Sequence, residues 1–191
     1  MNRMKNLPLR PLSECPEQAF LGTGLHTLGL LNWLIQQVGR CEVYVSTFST
    51  SEEFLAGFLN LRKKGLISRA VLMADLKASR KTVKLQKLMA RCFESVALAQ
   101  NHSKVLLLHS DTGRKVAVVT SQNQTYGGRA EATIVTTADS IYDALLSGFK
   151  STIDNSIIVN GLHTTSTEGD RTPGWPPHSC LGNFRPFGFE E

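Results

Sequence analysis

The stretch NHSKVLLLHSDTGRKVAVVTSQNQTYGGRAE, residues 101–131, sets two apolar runs, VLLL at 105–108 and VAVV at 116–119, around the polar turn Ser-Asp-Thr-Gly-Arg-Lys. Runs of this length and β-branched content are buried strands, and the glycine marks a backbone turn, so the segment is predicted to be a β-hairpin. With Thr112 and Gly113 as the central pair, Lys104 stands opposite Ser121 and His102 opposite Asn123. Strand side chains alternate between faces, so this register gathers all four polar groups at the open end of the hairpin. A slip of one residue would separate them.

Such a cluster suits an oxyanion better than a metal, because only the histidine is a good metal ligand. Lys104 brings positive charge and several donors, and Ser121 and Asn123 add neutral ones. A phosphoryl group fits this set, with His102 as nucleophile or proton donor. Glu131, ten residues past Ser121 and at the head of the strand-like run ATIVTT, is positioned to orient the imidazole through its second nitrogen.

His102-x-Lys104, the apolar run, the turn, Ser121-x-Asn123 and the following glutamate resemble the H-x-K-x4-D-x6-G-S-x-x-N signature of the phospholipase D superfamily. The similarity spans roughly residues 21–154 and is nearest to the small single-motif bacterial nucleases of that superfamily. Two positions depart from the signature: His109 stands at the aspartate position, with Asp111 two places on, and Thr120 replaces the glycine before the serine. The resemblance implies a metal-independent phosphodiesterase, most simply a nuclease, with no cofactor. It implies that one histidine forms a phosphohistidine while a second protonates the leaving alcohol. The signature occurs once here, so the second histidine would come from a twofold-related copy, making a homodimer with His102, Lys104 and Asn123 of both chains around one phosphate.

The surrounding chain supplies the scaffold. A length of 191 residues, 41% of them hydrophobic, is enough for one good core. We expect an extended arm at 1–18, a phospholipase D-like domain at 19–158 and a Gly/Pro-rich tail at 159–191. Apolar residues recur at helical spacing over 20–38, suggesting one helix that stops at Gly39. Strand 42–48, a helix capped by the Ser-Thr-Ser-Glu-Glu run and ending at Gly65, strand 68–76, helix 79–93, strand 95–100, the hairpin, strand 132–137 and helix 138–155 follow. This order gives an α/β layered fold, a mixed β-sheet flanked by helices.

Charge is unevenly spread. Residues 62–91 hold ten basic groups and one acid, a local net charge of +9 in a chain whose total is +5. Lys77, Arg80, Lys84, Lys87 and Arg91 fall at helical spacing, with Lys81 beside them, and form a basic stripe opposite Val83, Leu88 and Phe93. Such a stripe tracks a phosphate backbone without reading sequence, so DNA or RNA is the expected partner. No run of eighteen apolar residues and no membrane-docking stripe is present, so no membrane partner is expected. Cysteines 15, 41, 92 and 180 lack metal-ligand spacing and read as thiols of a reducing, cytoplasmic compartment. His26 reads as accommodated in its helix, His109 as turned away from the cluster by strand parity, and His163 and His178 as tail residues. Two other readings stay open: a nucleic-acid-binding module on the same fold that has lost turnover, and a phospholipid-processing enzyme.

Overall fold

A computed structural model describes residues 8–125 and 128–159, apart from the side chains of 79–83. The expectations for residues 1–7, for the tail beyond Val159 with His163, His178 and Cys180, and for the side chains of Arg80 and Lys81 lie outside the described residues.

The chain forms an eight-stranded mixed sheet in the order β1-β7-β6-β5-β2-β3-β4-β8. Its members are β1 Glu17–Gly22, β2 Cys41–Thr47, β3 Ile67–Asp75, β4 Ser95–Ala99, β5 Val105–Ser110, β6 Lys115–Thr120, β7 Glu131–Thr136 and β8 Ile157–Ile158. β2, β3 and β4 are parallel, and β5 runs antiparallel to β2. Helices α1 Thr27–Val38, α2 Glu52–Lys63 and α3 Ser79–Cys92 contribute to the larger core, where Leu31, Leu34, Leu55, Phe58 and Met89 meet Val43, Leu72, Leu106 and Val118. Helix α4, Asp139–Asp154, places Tyr142, Phe149 and Ile153 against Tyr44, Val71, Leu107 and Ala117 in a second cluster. Leu106 and Leu107 thus enter different clusters, as the alternation of a strand covered on both faces requires.

Local chemistry sets the helix ends. Ser51 Oγ accepts from Phe54 N at 3.2 Å, with Glu52 and Glu53 in the first turn of α2, and the positive φ of Gly65 follows its C-terminus. Arg62 makes a two-pronged bond to Glu94 at 2.7 and 2.5 Å, and Glu94 also accepts from Ala70 N at 2.7 Å. One residue of the basic run is therefore spent joining α2 to the sheet.

The helix expected over 20–38 is in part a strand. Residues Glu17–Gly22 pair antiparallel with β7 and α1 begins only at Thr27, with His26 at its N-cap. Gly24, at φ +91°, makes the break. Leu21 fitted the helical periodicity but is 78% exposed on the edge strand. Pairing with a partner more than a hundred residues away overrode the local pattern. The described part of the expected arm lies against the domain: Leu9 and Leu12 are buried in the larger core, and the Gln18 amide bonds both backbone groups of Arg10 at 2.9 Å. β8 was not anticipated from the sequence.

The hairpin forms with a different register. Val105 faces Val119 and His109 faces Lys115, so Lys104, whose carbonyl accepts from Thr120 N at 3.0 Å, stands opposite Thr120 rather than Ser121. The cause is the turn. Asp111, Thr112 and Gly113 make a three-residue loop, with Gly113 at φ +83° and Gly113 N donating to Ser110 O at 2.9 Å. A glycine in the third loop position is the glycine-bulge form of hairpin and adds one residue to the count. The expected pairs Lys104–Ser121 and His102–Asn123 are corrected accordingly.

Candidate active site

β2, β3 and β4 end on one edge of the sheet, at Thr47, Asp75 and Ala99, and β5 starts there because Val105 pairs with Ser46. Residues 100–104 therefore run along the carboxyl ends of three parallel strands, the usual location of a ligand site in an open α/β sheet. His102 and Ser103 are exposed, while Asn101 between β4 and His102 is only 5% exposed.

His102 packs edge-on against Phe48, with ring centroids 5.4 Å apart. Lys104 folds back over it: Nζ donates to His102 O at 2.8 Å and lies 3.3 Å from His102 Nδ1. The ammonium is thus next to the ring nitrogens, where it would meet an anion engaged by the imidazole. Lys104 and Thr120 also line a small cavity of about 10 Å³, with Ser46, Gln122 and Gln124 among its other walls. That is room for about one water molecule.

The other three expected residues sit on the β6–β7 side. Ser121 Oγ donates to the Glu131 carboxylate and accepts from Ala132 N at 3.0 Å. Glu131 is engaged by a hydroxyl rather than by the imidazole. Thr120 Oγ1 donates to Ala132 O at 3.0 Å and accepts from Gln122 N at 3.1 Å. Asn123 is half-buried, and its Oδ1 is sealed from solvent with no hydrogen-bond partner among the described residues. The structure brings His102 to Lys104 and Ser121 to Glu131. No hydrogen bond joins the two pairs among the described residues.

Sequence reasoning missed Asn101, Asp75, Gln122 and Gln124. Asn101 adjoins the H-x-K motif and Gln122 lies between Ser121 and Asn123, so adjacency was the available signal. Gln122 Oε1 accepts from Thr27 Oγ1 at 3.1 Å, and Gln124, 4% exposed, bridges to Thr50 beyond the end of β2. His109 is on the other face, its ring 6.3 Å from that of Tyr142, as parity required. Cys15, Cys41 and Cys92 are free thiols; burial, with a smaller contribution from Asp111, pushes Cys41 up to about 12, and burial pushes Cys92 up to about 11.

On α3, the described basic residues Lys84, Lys87 and Arg91 are exposed while Met89 and Cys92 are buried, so the stripe faces solvent. Lys77, also exposed, lies in the short turn Leu76–Ala78 that leads from the site edge into α3. Beside Ser121, an apolar face is open. Leu21, Ile134 and Val119, which are 78%, 54% and 42% exposed, share one face of the sheet with Ala19 and Ala132 through direct cross-strand pairing. No helix among the described residues is long and apolar enough to cross a membrane.

At the level of sequence no protein-family model matches the chain, and no curated protein matches it. Its three-dimensional form is similar to several solved structures. Nuc from Salmonella typhimurium, a phospholipase D family member, superimposes with a TM-score of 0.55 at 13% identity, over 74% of this chain and 97% of that one. NucT from Helicobacter pylori gives 0.53 at 14% identity, over 74% and 98%. Polyphosphate kinase from Porphyromonas gingivalis gives 0.57 at 12% identity, over 80% of this chain but 30% of that one. The chain shares the fold of these structures, an α/β architecture with a mixed sheet flanked by helices.

Proposed function

We propose that the protein is a metal-independent phosphodiesterase acting on DNA or RNA, with His102 as the nucleophile. The observation that carries this reading is the approach of Lys104 Nζ to within 3.3 Å of the exposed His102 ring at the carboxyl ends of the parallel strands. The names of the similar folds, a phospholipase D family member and a polyphosphate kinase, point to phosphoryl chemistry. The exposed Lys84, Lys87 and Arg91 favour a polyanionic substrate held through its backbone.

In this reading a His102 ring nitrogen attacks phosphorus. The N–P bond forms as the P–O bond to the leaving alcohol breaks, and the departing oxygen takes a proton from His102 of the partner subunit. That imidazole then removes a proton from water, which attacks phosphorus and releases His102 with the second product. Lys104 offsets the charge that develops on the phosphoryl oxygens. Asn123, whose carboxamide nitrogen can donate to a phosphoryl oxygen, belongs to this group in the assembled site, and the Ser121–Glu131 pair braces its rim. The open apolar face of Leu21, Ile134 and Val119 beside Ser121 supports a second copy docking next to the site. The free cysteines suit a cytoplasmic setting.

The test is hydrolysis of bis(p-nitrophenyl) phosphate and of single- and double-stranded DNA and RNA in EDTA. Turnover is expected, with a fall of about 10³-fold or more in His102→Ala. Undiminished turnover in that variant would remove His102 from the mechanism. Sedimentation should give a dimer, and Ile134→Asp should shift it to monomer with loss of turnover. The Ser121–Glu131 bond favours one second reading, a nucleic-acid-binding module that has lost turnover, because it occupies a hydroxyl the signature would leave for phosphate. Salt-sensitive binding without cleavage by the wild-type chain would select it.

A further inference from the structure

We propose that Asp75 and Asn101 are positioning residues that fix His102 through the backbone amides of its two neighbours, Asn101 and Ser103, and that the Asp75 carboxylate ties this segment to the turn that leads into the basic helix. The proposal rests on the reading of His102 as the reacting group. His102 has an exposed side chain, with the Phe48 ring and Lys104 against it, so packing alone holds it weakly. The backbone around it is bonded at successive residues. Asp75 Oδ2 accepts from Asn101 N at 2.9 Å, Asn101 Oδ1 accepts from Ser103 N at 3.0 Å, and His102 O accepts from Lys104 Nζ at 2.8 Å.

Both anchoring side chains are buried, Asp75 being 6% and Asn101 5% exposed. The Asn101 amide donates to Ser46 Oγ at 3.0 Å and Thr47 O at 3.2 Å, at the end of β2. Its oxygen also accepts from Ser103 Oγ at 2.6 Å. Asn101 thus joins the end of β2 to the residue that follows His102. Asp75 closes β3, and its second oxygen accepts from Lys77 N at 2.7 Å, where the chain turns towards α3. An aspartate bonding two residues ahead is an ordinary turn. The bond to Asn101, 26 residues away, is what local turn chemistry does not require. No salt bridge to Asp75 is present among the described residues, so this buried carboxylate is held by backbone donors. A displacement of about 1 Å in a reacting group can cost about 10²-fold in rate, so a frame of this kind governs turnover more than substrate affinity.

The experiment compares full-length Asp75→Asn, Asn101→Ala and Ser103→Ala with wild type. It uses kcat and KM on bis(p-nitrophenyl) phosphate, the position of the His102 imidazole ¹H–¹³C cross-peak at fixed pH, and circular dichroism. Asp75→Asn keeps one acceptor oxygen for two amides. It should remain folded, lower kcat by about 10- to 100-fold with KM within about threefold, and move the cross-peak. Asn101→Ala should do the same. If it fails to fold, Ser103→Ala, which removes the 2.6 Å bond without emptying buried volume, should lower kcat by about three- to tenfold and move the cross-peak in the same sense. An unmoved cross-peak with wild-type kcat in Asp75→Asn and Ser103→Ala overturns the proposal. If the wild type turns over no phosphodiester, the proposed function fails and the cross-peak alone decides: movement supports the frame, no movement overturns it.

Discussion

Segments 101–104 and 120–124 meet at one edge of the sheet through the bond from Thr120 N to Lys104 O, yet they are satisfied in opposite ways. In the first, both polar atoms of the Asn101 carboxamide are bonded, and Asp75 gives one oxygen to each of two amides. In the second, Asn123 Oδ1 and Gln124 Oε1 are sealed from solvent without a partner among the described residues, as is Thr50 Oγ1 across the bridge to Gln124. Each such atom costs about 1–3 kcal/mol relative to a bonded one. The chain completes the half that holds the histidine and leaves unmet bonding capacity in the half that would complete its surroundings.

The largest effect should separate the halves by activity. Lys104→Ala is expected to lower kcat on bis(p-nitrophenyl) phosphate by about 10²- to 10³-fold, because the charge beside the imidazole is lost. Ser121→Ala should stay within about tenfold, since Ser121 is committed to Glu131. Equal losses would show that the two pairs act as one cluster. Stability should divide the same way. Asn101→Ala is expected to cost about 3 kcal/mol in urea unfolding, as several buried groups lose partners. Gln124→Leu should change stability by less than about 1 kcal/mol, because it removes an oxygen that has no donor among the described residues. A large loss in Gln124→Leu would mean that the second half is satisfied after all.

A smaller effect concerns the surface beyond both segments. Replacing Lys84, Lys87 and Arg91 by alanine should reduce the slope of log affinity for DNA against log salt by up to about 0.9 per residue, and leave small-ester turnover unchanged. The smallest is a pH effect. Burial raises Tyr44, with help from Glu42, to about 12, and raises Cys41 to about 12 and Cys92 to about 11, all above their ordinary values of 10.0 and 9.0. These groups stay neutral in the fold while the unfolded chain ionises. The stability they contribute is therefore full below about pH 9 and is lost as pH rises towards about 11–12. Urea midpoints should be level from pH 7 to 8.5 and fall by pH 10.

Much of the architecture was legible because its elements announce themselves locally. Ser51 with two glutamates starts α2, glycines follow α1 and α2, and the runs at 105–108 and 116–119 are strands in either register. The two failures share a cause. Leu21 looked like a helical core residue and Thr112-Gly113 looked like a two-residue turn, and in each case a periodic pattern was extended past the point where pairing with a distant segment decided it. Of the candidate site, the His102–Lys104 approach was readable, since residues two apart at a strand end share a side. The Asn101 bracket was not, because its partners Ser46, Thr47 and Asp75 come from two other strands.

The sequence by itself determined the strands and helices between Cys41 and Asp154, the motif on the hairpin and the basic face of α3, all consequences of spacing and side-chain chemistry over a few residues. Tertiary structure alone decided which groups meet. One residue in the turn moved Ser121 out of line with Lys104, the β6–β7 pairing set it beside Glu131, and the ends of three strands closed a buried frame beneath His102. Register and convergence depend on hydrogen bonds between segments far apart in the chain, and no local pattern encodes them.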